Sequence, residues 1–240
     1  MDCATQDAKT GLAVATLESD ILSLRDVCLC SKSQSAAEVI CRWIVDAGSA
    51  PTLLALDAPL GWPLALRSLA SHSAGSVLHS SPDEMFRRAT DRFVQERFGQ
   101  RPLDVGADRI ARTAHAALTL LDRVRRVTQQ PIPLWWDFAQ PFVVAAIEVY
   151  PAATLRARGI RSKGYKKPGR MGERNEIIAE LGQRMELRRS SDLTAEADVL
   201  DAAICVLAGA DYLRGFALGP PDPHTARAEG WIWVTNRSDA

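Results

Sequence analysis

The chain has 240 residues, of which 47% are hydrophobic and 24% charged, with 29 acidic and 29 basic side chains. This size suits one α/β domain with a sizeable core, and the balanced charge by itself points to no class of partner. No run approaches the roughly 18 apolar residues of a membrane span, no signal peptide opens the chain, and the five cysteines lack zinc-ligand spacing, so we expect a cytoplasmic protein with reduced thiols and no membrane contact.

The first elements predict the beginning of a mixed sheet. Residues 11–17 and 21–30 are typical of two strands joined by a tight turn, and the apolar run at 53–56 predicts a strand buried on both faces. Between them, an S-x-x-E capping box that begins at Ser35 predicts a helix over 35–47. The order strand, strand, helix, strand predicts an α/β sheet of mixed direction.

A long, mostly helical insertion is predicted at about 61–142. It holds a loop rich in serine, histidine and glycine at 68–81, a helical segment at 82–98 and a longer amphipathic helix at 104–127. The apolar strand predicted at 143–149 then returns the chain to the sheet.

Helices dominate the last part of the predicted fold. The pattern predicts one helix near 172–187, a second near 194–214 and a short final strand at 231–234. We therefore predict a single α/β domain that covers residues 1–240.

Several acidic side chains lie in apolar surroundings, where a charged carboxylate without a partner is energetically unfavourable. Asp57 directly follows the predicted strand at 53–56, and Glu148 lies inside an apolar strand. Asp198 and Asp201 are three apart on a predicted helix, so they share a face. Without a cation, such acids would repel one another and raise one another's pKa. With Asp2, they predict a carboxylate cluster that binds divalent cations. The simpler roles are a turn-capping aspartate at Asp57 and a favourable first-turn acid at Asp198.

The R-x-T-D motif of Arg88, Thr90 and Asp91 has two interpretations. Arg88 has the geometry to grip a phosphate with two hydrogen bonds. The alternative is a structural ion pair between Arg88 and Asp91. The sequence does not decide between them.

Residues 156–174 carry eight basic side chains against one acid, among several glycines. A basic loop that follows Glu148 this closely suits a polyanionic substrate, although many charged loops are only solvated surfaces. The basic residues are Arg156, Arg158, Arg161, Lys163, Lys166, Lys167, Arg170 and Arg174.

Taken in order, the chain's motifs resemble those of the DUF429 family, whose uncharacterised members are regarded as predicted nucleases with a ribonuclease-H-like fold. The resemblance spans nearly the whole chain, and it departs from the family pattern where only Met1 precedes Asp2. The motifs are D-C-A-T…K-T-G-L-A (2–13), L-D-A-P-L-G-W-P (56–63), R-A-T-D (88–91), I-E-V-Y-P-A-A (147–153), Y-K (165–166), D-V-L-D-A-A-I-C-V-L-A (198–208) and E-G-W-I-W (229–233).

The resemblance implies a ribonuclease-H-like mixed sheet flanked by helices, with acids from the first strand, a central strand and a late helix. It implies an enzyme that hydrolyses nucleic-acid phosphodiester bonds with Mg²⁺ or Mn²⁺ as cofactor, typically as a pair of ions. The implied ligands are Asp2, Asp57, Glu148 and Asp201, with Asp198 as an alternative or outer ligand. The implied substrate-binding residues are Arg88, Thr90, Asp91, Tyr165, Lys166 and Lys167.

Two other classes of function stay open at this point. One is a non-catalytic module on the same fold that binds nucleic acid or a partner. The other is a small-molecule phosphotransferase or phosphatase. The length of the basic loop favours a nucleic-acid substrate over a small phosphate ester.

Overall fold

The computed structural model describes residues 1–106, 108–187 and 190–236. Two pairs of strands lie between layers of helices, and short 3₁₀ segments occur at Asp7–Lys9 and Leu64–Ser71. The other elements in chain order are β1 (Gly11–Glu18), β2 (Ile21–Leu29), α1 (Ala36–Ala47), β3 (Thr52–Leu56), α2 (Pro82–Phe86), α3 (Ala89–Phe98), α4 (Asp108–Thr128), β4 (Val144–Glu148), α5 (Pro151–Ala157), α6 (Met171–Gly182), α7 (Ser190–Ala195), α8 (Ala197–Leu213) and α9 (Pro223–Glu229).

The predicted hairpin and the first predicted helix are confirmed. Strands β1 and β2 are antiparallel, and the turn between them places Ser19 and Asp20 at φ values of 48° and 69°. A two-residue turn with both φ values positive matches the twist of the strands that it joins. Helix α1 begins after Ser35, which forms the predicted capping box with Glu38, and Gly48 ends the helix at a φ of 60°.

The first two residues join the two strand pairs. The amide of Asp2 donates to the carbonyl of Gly11 at 3.0 Å, and the amide of Asp57 donates to the carbonyl of Met1 at 2.9 Å. The Met1 amino group also donates to the carbonyl of Ala55 at 2.9 Å. Asp2 therefore lies between β1 and β3, antiparallel to the first strand and parallel to the second.

Strands β3 and β4 are parallel, with Leu56 opposite Glu148. On one face, Leu56 and Ala146 pack with α1 and α4. On the other face, Ile147 packs with the apolar side of α8. Because side chains alternate along a strand, Glu148 belongs with Ala146 on the α1/α4 face, and Asp57 belongs on the α8 face.

Helix α8 approaches β1 so closely that a side chain has no room at Gly11. A Cβ atom built at Gly11 would lie 2.0 Å from the backbone oxygen of Asp198 and 2.9 Å from the backbone nitrogen of Val199. Glycine at this position lets the first turn of α8 rest against the strand backbone, which sets where Asp201, one turn further on, projects.

Several element predictions need correction. Strand β3 is only half-buried over Thr52–Ala55, because its side chains are not covered on both faces along their length. The segment predicted as helical at 82–98 is broken between α2 and α3, because Arg87 and Arg88 have an extended backbone conformation. The predicted strand at 231–234 forms only an isolated bridge, between Ile232 and Glu148.

Helix boundaries also differ from the predicted ones. The helix predicted at 172–187 ends at Gly182, and the loop predicted at 68–81 begins inside the 3₁₀ segment Leu64–Ser71. Helices α5 and α9 were not predicted from the sequence; each begins with proline at its first position, a common helix start. Among the described helices, none combines the length and apolar character needed to cross a bilayer.

Candidate metal centre

Three carboxylates converge beside the end of β3. Asp2, Asp57 and Asp201 each offer an oxygen, and these oxygens lie within 4.8 Å of one another. Asp2 and Asp57 are neighbours because they form a parallel bridge, and Asp201 reaches them from the second turn of α8. Three of the predicted ligands, from positions up to 199 residues apart in the chain, therefore form one site.

Asp201 is fully buried, and both of its oxygens have partners. The hydroxyl of Tyr165 donates to Oδ1 at 2.5 Å, and the Lys166 ammonium forms an ion pair with Oδ2. Burial raises the pKa of Tyr165 well above its usual value, and the charge of Asp201 adds to this. The phenol therefore stays a donor at neutral pH and fixes the orientation of the Asp201 carboxylate.

Full ionisation of the three-aspartate cluster is unfavourable without a cation. Burial raises the pKa of Asp2 to about 9, and the charges of Asp57 and Asp201 contribute to the rise. Burial likewise raises the pKa of Asp57 to about 7, with Asp201 adding to the effect and Lys166 opposing it. Burial also raises the pKa of Asp201, against the effect of Lys166. Negative charge at this site is therefore costly unless a cation is present.

The donor set fits a hard divalent cation. All three side chains offer carboxylate oxygens, which are the ligands that Mg²⁺ and Mn²⁺ favour, and Mg²⁺ completes its shell with water. Asp2, Asp57 and Asp201 can therefore hold a metal ion; the carboxylates alone do not select which one.

Cation binding is expected to stabilise the protein more strongly as the pH rises. The folded-state pKa values of Asp57 and Asp2 lie above the ordinary 3.8, so the metal-free folded protein holds extra protons. The stability that these protonated groups contribute is lost as the pH rises through about 7 and then about 9, and a cation restores it. We expect Mn²⁺ to raise the melting temperature more at about pH 8.5 than at about pH 6, measured by thermal unfolding.

Asp57→Asn is the control for this experiment, because it removes one ligand and one of the two titrating groups. The Mn²⁺-induced rise should shrink at both pH values in this variant. A rise in the wild type that is equal at both pH values, or larger in acid, would contradict the expectation.

Glu148 does not join the three aspartates, which corrects the predicted ligand set. Its side chain points to the α1/α4 face, opposite to Asp57, and Arg88 holds both of its oxygens. Arg88 Nη2 donates to Oε1 at 2.7 Å and Arg88 Nη1 donates to Oε2 at 2.8 Å, while the amide of Leu60 donates to Oε2 at 2.9 Å. Burial raises the pKa of Glu148, and Arg88 opposes that rise. An arginine thus fills the role that the sequence assigned to a metal.

The R-x-T-D motif forms a structural ion pair between Arg88 and Asp91, the second of the two interpretations of this motif. Arg88 is 1% exposed and donates to Asp91 through Nε at 3.1 Å and Nη2 at 2.9 Å, in addition to Glu148. The hydroxyl of Thr90 accepts from the amide of Ile232 at 2.8 Å. No part of this buried network is placed to grip a phosphate in solvent, so the predicted substrate-binding role of Arg88, Thr90 and Asp91 does not match the arrangement.

Glu229, to which the sequence assigned no role, is buried next to this network. Its carboxylate accepts from the amide of Leu64 at 2.8 Å and from the amide of Ala89 at 2.7 Å. It thereby ties the helical segment after β3 to the C-terminal part of the chain. The E-G-W-I-W motif was the available signal, because an acid directly before an apolar run needs a partner.

Asp198 lies at the edge of the cluster. It is half-buried in the first turn of α8, and its negative charge acts on both Asp2 and Asp201. Its carboxylate is not one of the three with ligand spacing. The position fits the predicted outer role and the simpler role of a favourable acid near a helix start.

Within the described chain, most cations of the basic segment are engaged by the protein itself. Arg158 pairs with buried Asp211, and Arg174 donates to the carbonyls of Tyr165 and Thr194. Arg161 and Arg170 pair with glutamates of α6, and Arg156 donates to the carbonyl of Phe98. Lys163 and Lys167 are exposed, and Lys166 reaches the cluster. The predicted polyanion surface is therefore reduced to three lysines.

A separate open cavity of about 260 Å³ lies on the α1/α4 face, where its lining includes Cys3, Thr10, His115 and Arg123. None of the described residues that line it carries a carboxylate. It is distinct from the three-aspartate cluster, because Cys3 points away from the side occupied by Asp2.

Comparison with known proteins adds the family. A family model described as "Protein of unknown function (DUF429)" matches residues 1–226 of the 240. No curated protein matches the chain, and no solved structure does.

Proposed function

The chain belongs to the DUF429 family, a group defined without a known function, and we propose that this member is a metal-dependent hydrolase of nucleic-acid phosphodiester bonds. The observation that carries the proposal is the convergence of Asp2, Asp57 and Asp201 to within 4.8 Å. A cytoplasmic location remains part of the proposal.

The order of the strands supports a ribonuclease-H-like core. Across the molecule the order is β2, β1, the Met1–Asp2 segment, β3, β4, with antiparallel pairing on the first side and parallel pairing on the second. Asp2, Asp57 and Asp201 come from the first segment, a central strand and a late helix. These are the positions at which a ribonuclease-H-like fold is expected to carry its metal-binding acids. The metal-binding acids and the fold are thus mutually consistent.

The chain's own residues would prepare the site for hydrolysis. Asp2, Asp57 and Asp201 would hold the cation, Mg²⁺ or Mn²⁺. When bound, such a cation lowers the pKa of a coordinated water and draws charge from a phosphoryl oxygen. Tyr165 fixes the Asp201 carboxylate through its 2.5 Å hydrogen bond, so that this ligand is oriented before a substrate arrives. Lys166, half-exposed beside it, brings a positive charge to the solvent side of the centre.

The exposed lysines favour a phosphodiester substrate. Lys163 and Lys167 are exposed and lie within three residues of Lys166 in a glycine-containing loop, and Lys166 itself reaches the cluster. Several closely spaced cations suit the repeated charges of a nucleic-acid backbone and make binding sensitive to salt.

One observation favours a second candidate, the hydrolysis of a small phosphate ester. The arginines of the segment are engaged by the protein, so the positive surface left for a long polyanion is small. A phosphatase needs to hold only one phosphate group, for which three lysines suffice.

A cleavage assay with purified protein separates these functions. We expect single-stranded and double-stranded DNA and RNA to be cleaved with Mg²⁺ or Mn²⁺ present and left intact with EDTA. Turnover of p-nitrophenyl phosphate without cleavage of any nucleic acid would favour the phosphatase. Salt-sensitive binding of nucleic acid without turnover of either substrate would overturn both enzymes in favour of a binding module.

A further inference from the structure

Lys166 places a positive charge at the three-aspartate cluster. Its ammonium forms an ion pair with Oδ2 of Asp201, and the charges of Asp57 and Asp2 act on it as well. Tyr165 already occupies Oδ1 of the same carboxylate. Both oxygens of Asp201 therefore have a partner within the protein, and the partner of Oδ2 is the positively charged Lys166 ammonium.

The backbone holds Lys166 in this position. Tyr165, its neighbour, is 1% exposed, and the carbonyl of Tyr165 accepts from Nη1 of buried Arg174 at 2.8 Å. On the other side, the amide of Lys167 closes a turn onto the carbonyl of Gly164 at 3.3 Å, with Gly164 at a φ of 88°. A lysine between an anchored tyrosine and a tight turn is placed by the fold, unlike a lysine on a surface helix.

The charges of the fully ionised cluster match one divalent ion. When deprotonated as ligands, Asp2, Asp57 and Asp201 carry three negative charges, and the Lys166 ammonium offsets one of them, which leaves two for a cation to neutralise. Two further charges act on the cluster in opposite directions: the Asp198 carboxylate raises the pKa of Asp2 and Asp201, and the Met1 amino group lowers the pKa of Asp57. The fourth predicted ligand, Glu148, is neutralised by Arg88 on the other face.

From this we infer that the centre binds one divalent cation per chain and that Lys166 occupies the site of the second. The inference rests on the proposed metal-dependent function, and it replaces the predicted pair of ions by one ion and one ammonium group. In this arrangement Lys166 neutralises charge at the phosphate that reacts, while the neighbouring Lys163 and Lys167 meet the rest of the substrate.

The test counts Mn²⁺ ions by equilibrium dialysis and by electron paramagnetic resonance in the absence of substrate. The wild type is expected to bind one Mn²⁺ per chain with an uncoupled spectrum. Lys166→Met, similar in length and without charge, is expected either to bind a second Mn²⁺ with a spin-coupled spectrum or to bind the first about 10-fold more tightly. Lys166→Arg, which keeps the charge, should behave as the wild type.

Lys167→Met is the matched control, because Lys167 is the adjacent exposed lysine, whereas the ion pair with Asp201 is formed by Lys166. It should leave the Mn²⁺ count and affinity unchanged. Two spin-coupled Mn²⁺ ions in the wild type, or identical binding in Lys166→Met and the wild type, would overturn the inference and leave the proposed function standing. No Mn²⁺ bound to the wild type would instead overturn the metal-dependent function itself.

Discussion

Asp201→Asn is expected to abolish binding of divalent cations at the cluster and to lower the rate of phosphodiester cleavage by at least about 100-fold. Asparagine keeps the shape of the side chain and can still accept from the Tyr165 hydroxyl, so the packing around α8 should survive. What is lost is the charge on one of the three oxygens that lie within 4.8 Å of one another. Cleavage rates and Mn²⁺ titrations measure the two effects.

The stability of this variant should not fall with its activity. Asp201 is 0% exposed and its pKa is raised by burial. The neutral asparagine therefore avoids the desolvation free energy that a buried carboxylate adds to the metal-free folded state. The matched control is Asp211→Asn on the same helix, where Asp211 is 1% exposed and pairs with Arg158 at 2.5 Å. That variant should lose stability and keep its cations. The same loss of cation binding in both variants would show that α8 folding, rather than the cluster, is being measured.

Arg88→Met is expected to lower the free energy of unfolding by roughly 3–5 kcal/mol. The change leaves Glu148 and Asp91 buried, at 3% and 0% exposed, without the guanidinium that both of them share. A buried carboxylate that loses the guanidinium beside it is still desolvated, but the ion pair no longer offsets that unfavourable free energy. Urea unfolding, followed by circular dichroism, measures the loss.

Two further variants show whether burial is the cause. Arg126→Met breaks a surface pair with Asp122 whose side chains are 79% and 51% exposed, and it should cost less than about 1 kcal/mol. Adding Glu148→Gln to Arg88→Met should recover part of the stability, because it removes one of the stranded charges. An Arg88→Met variant as stable as Arg126→Met would contradict the structural role of the network.

Local signals in the sequence were enough for the elements that depend on neighbouring residues. The capping box of Ser35 and Glu38 and the turn at Ser19 and Asp20 each involve a few consecutive positions, and both are confirmed. The strand predicted at 231–234 was wrong, because an apolar run shows burial but does not show whether a continuous ladder forms beside it.

The candidate site was predictable only in part, because pairing register is not local. Glu148 and Asp57 both sit at strand ends, but Leu56, not Asp57, lies opposite Glu148. A shift of one residue would have put the two acids on one face. The sequence correctly showed that Glu148 needs a partner, whereas it could not show that Arg88, 60 positions away, supplies it.

The same limit applies to the Y-K motif. Tyr165 and Lys166 were predicted to contact substrate, yet both face Asp201, which is 36 positions from Tyr165 in the chain. Nothing in the sequence indicated that this lysine also pairs with a carboxylate of its own protein, because that contact depends on how the 158–170 loop packs against α8.

The lack of room for a side chain at Gly11 has a consequence for genetics. A methyl group there would collide with the Asp198 carbonyl, tilt α8 away from the strand and pull Asp201 out of range of its two partners. A saturation screen for inactive alleles should therefore recover this position as often as the aspartates, although it contributes no reactive atom. The geometry of the candidate metal centre therefore depends on a position without a side chain, and a search for essential residues guided by side-chain reactivity alone would overlook it.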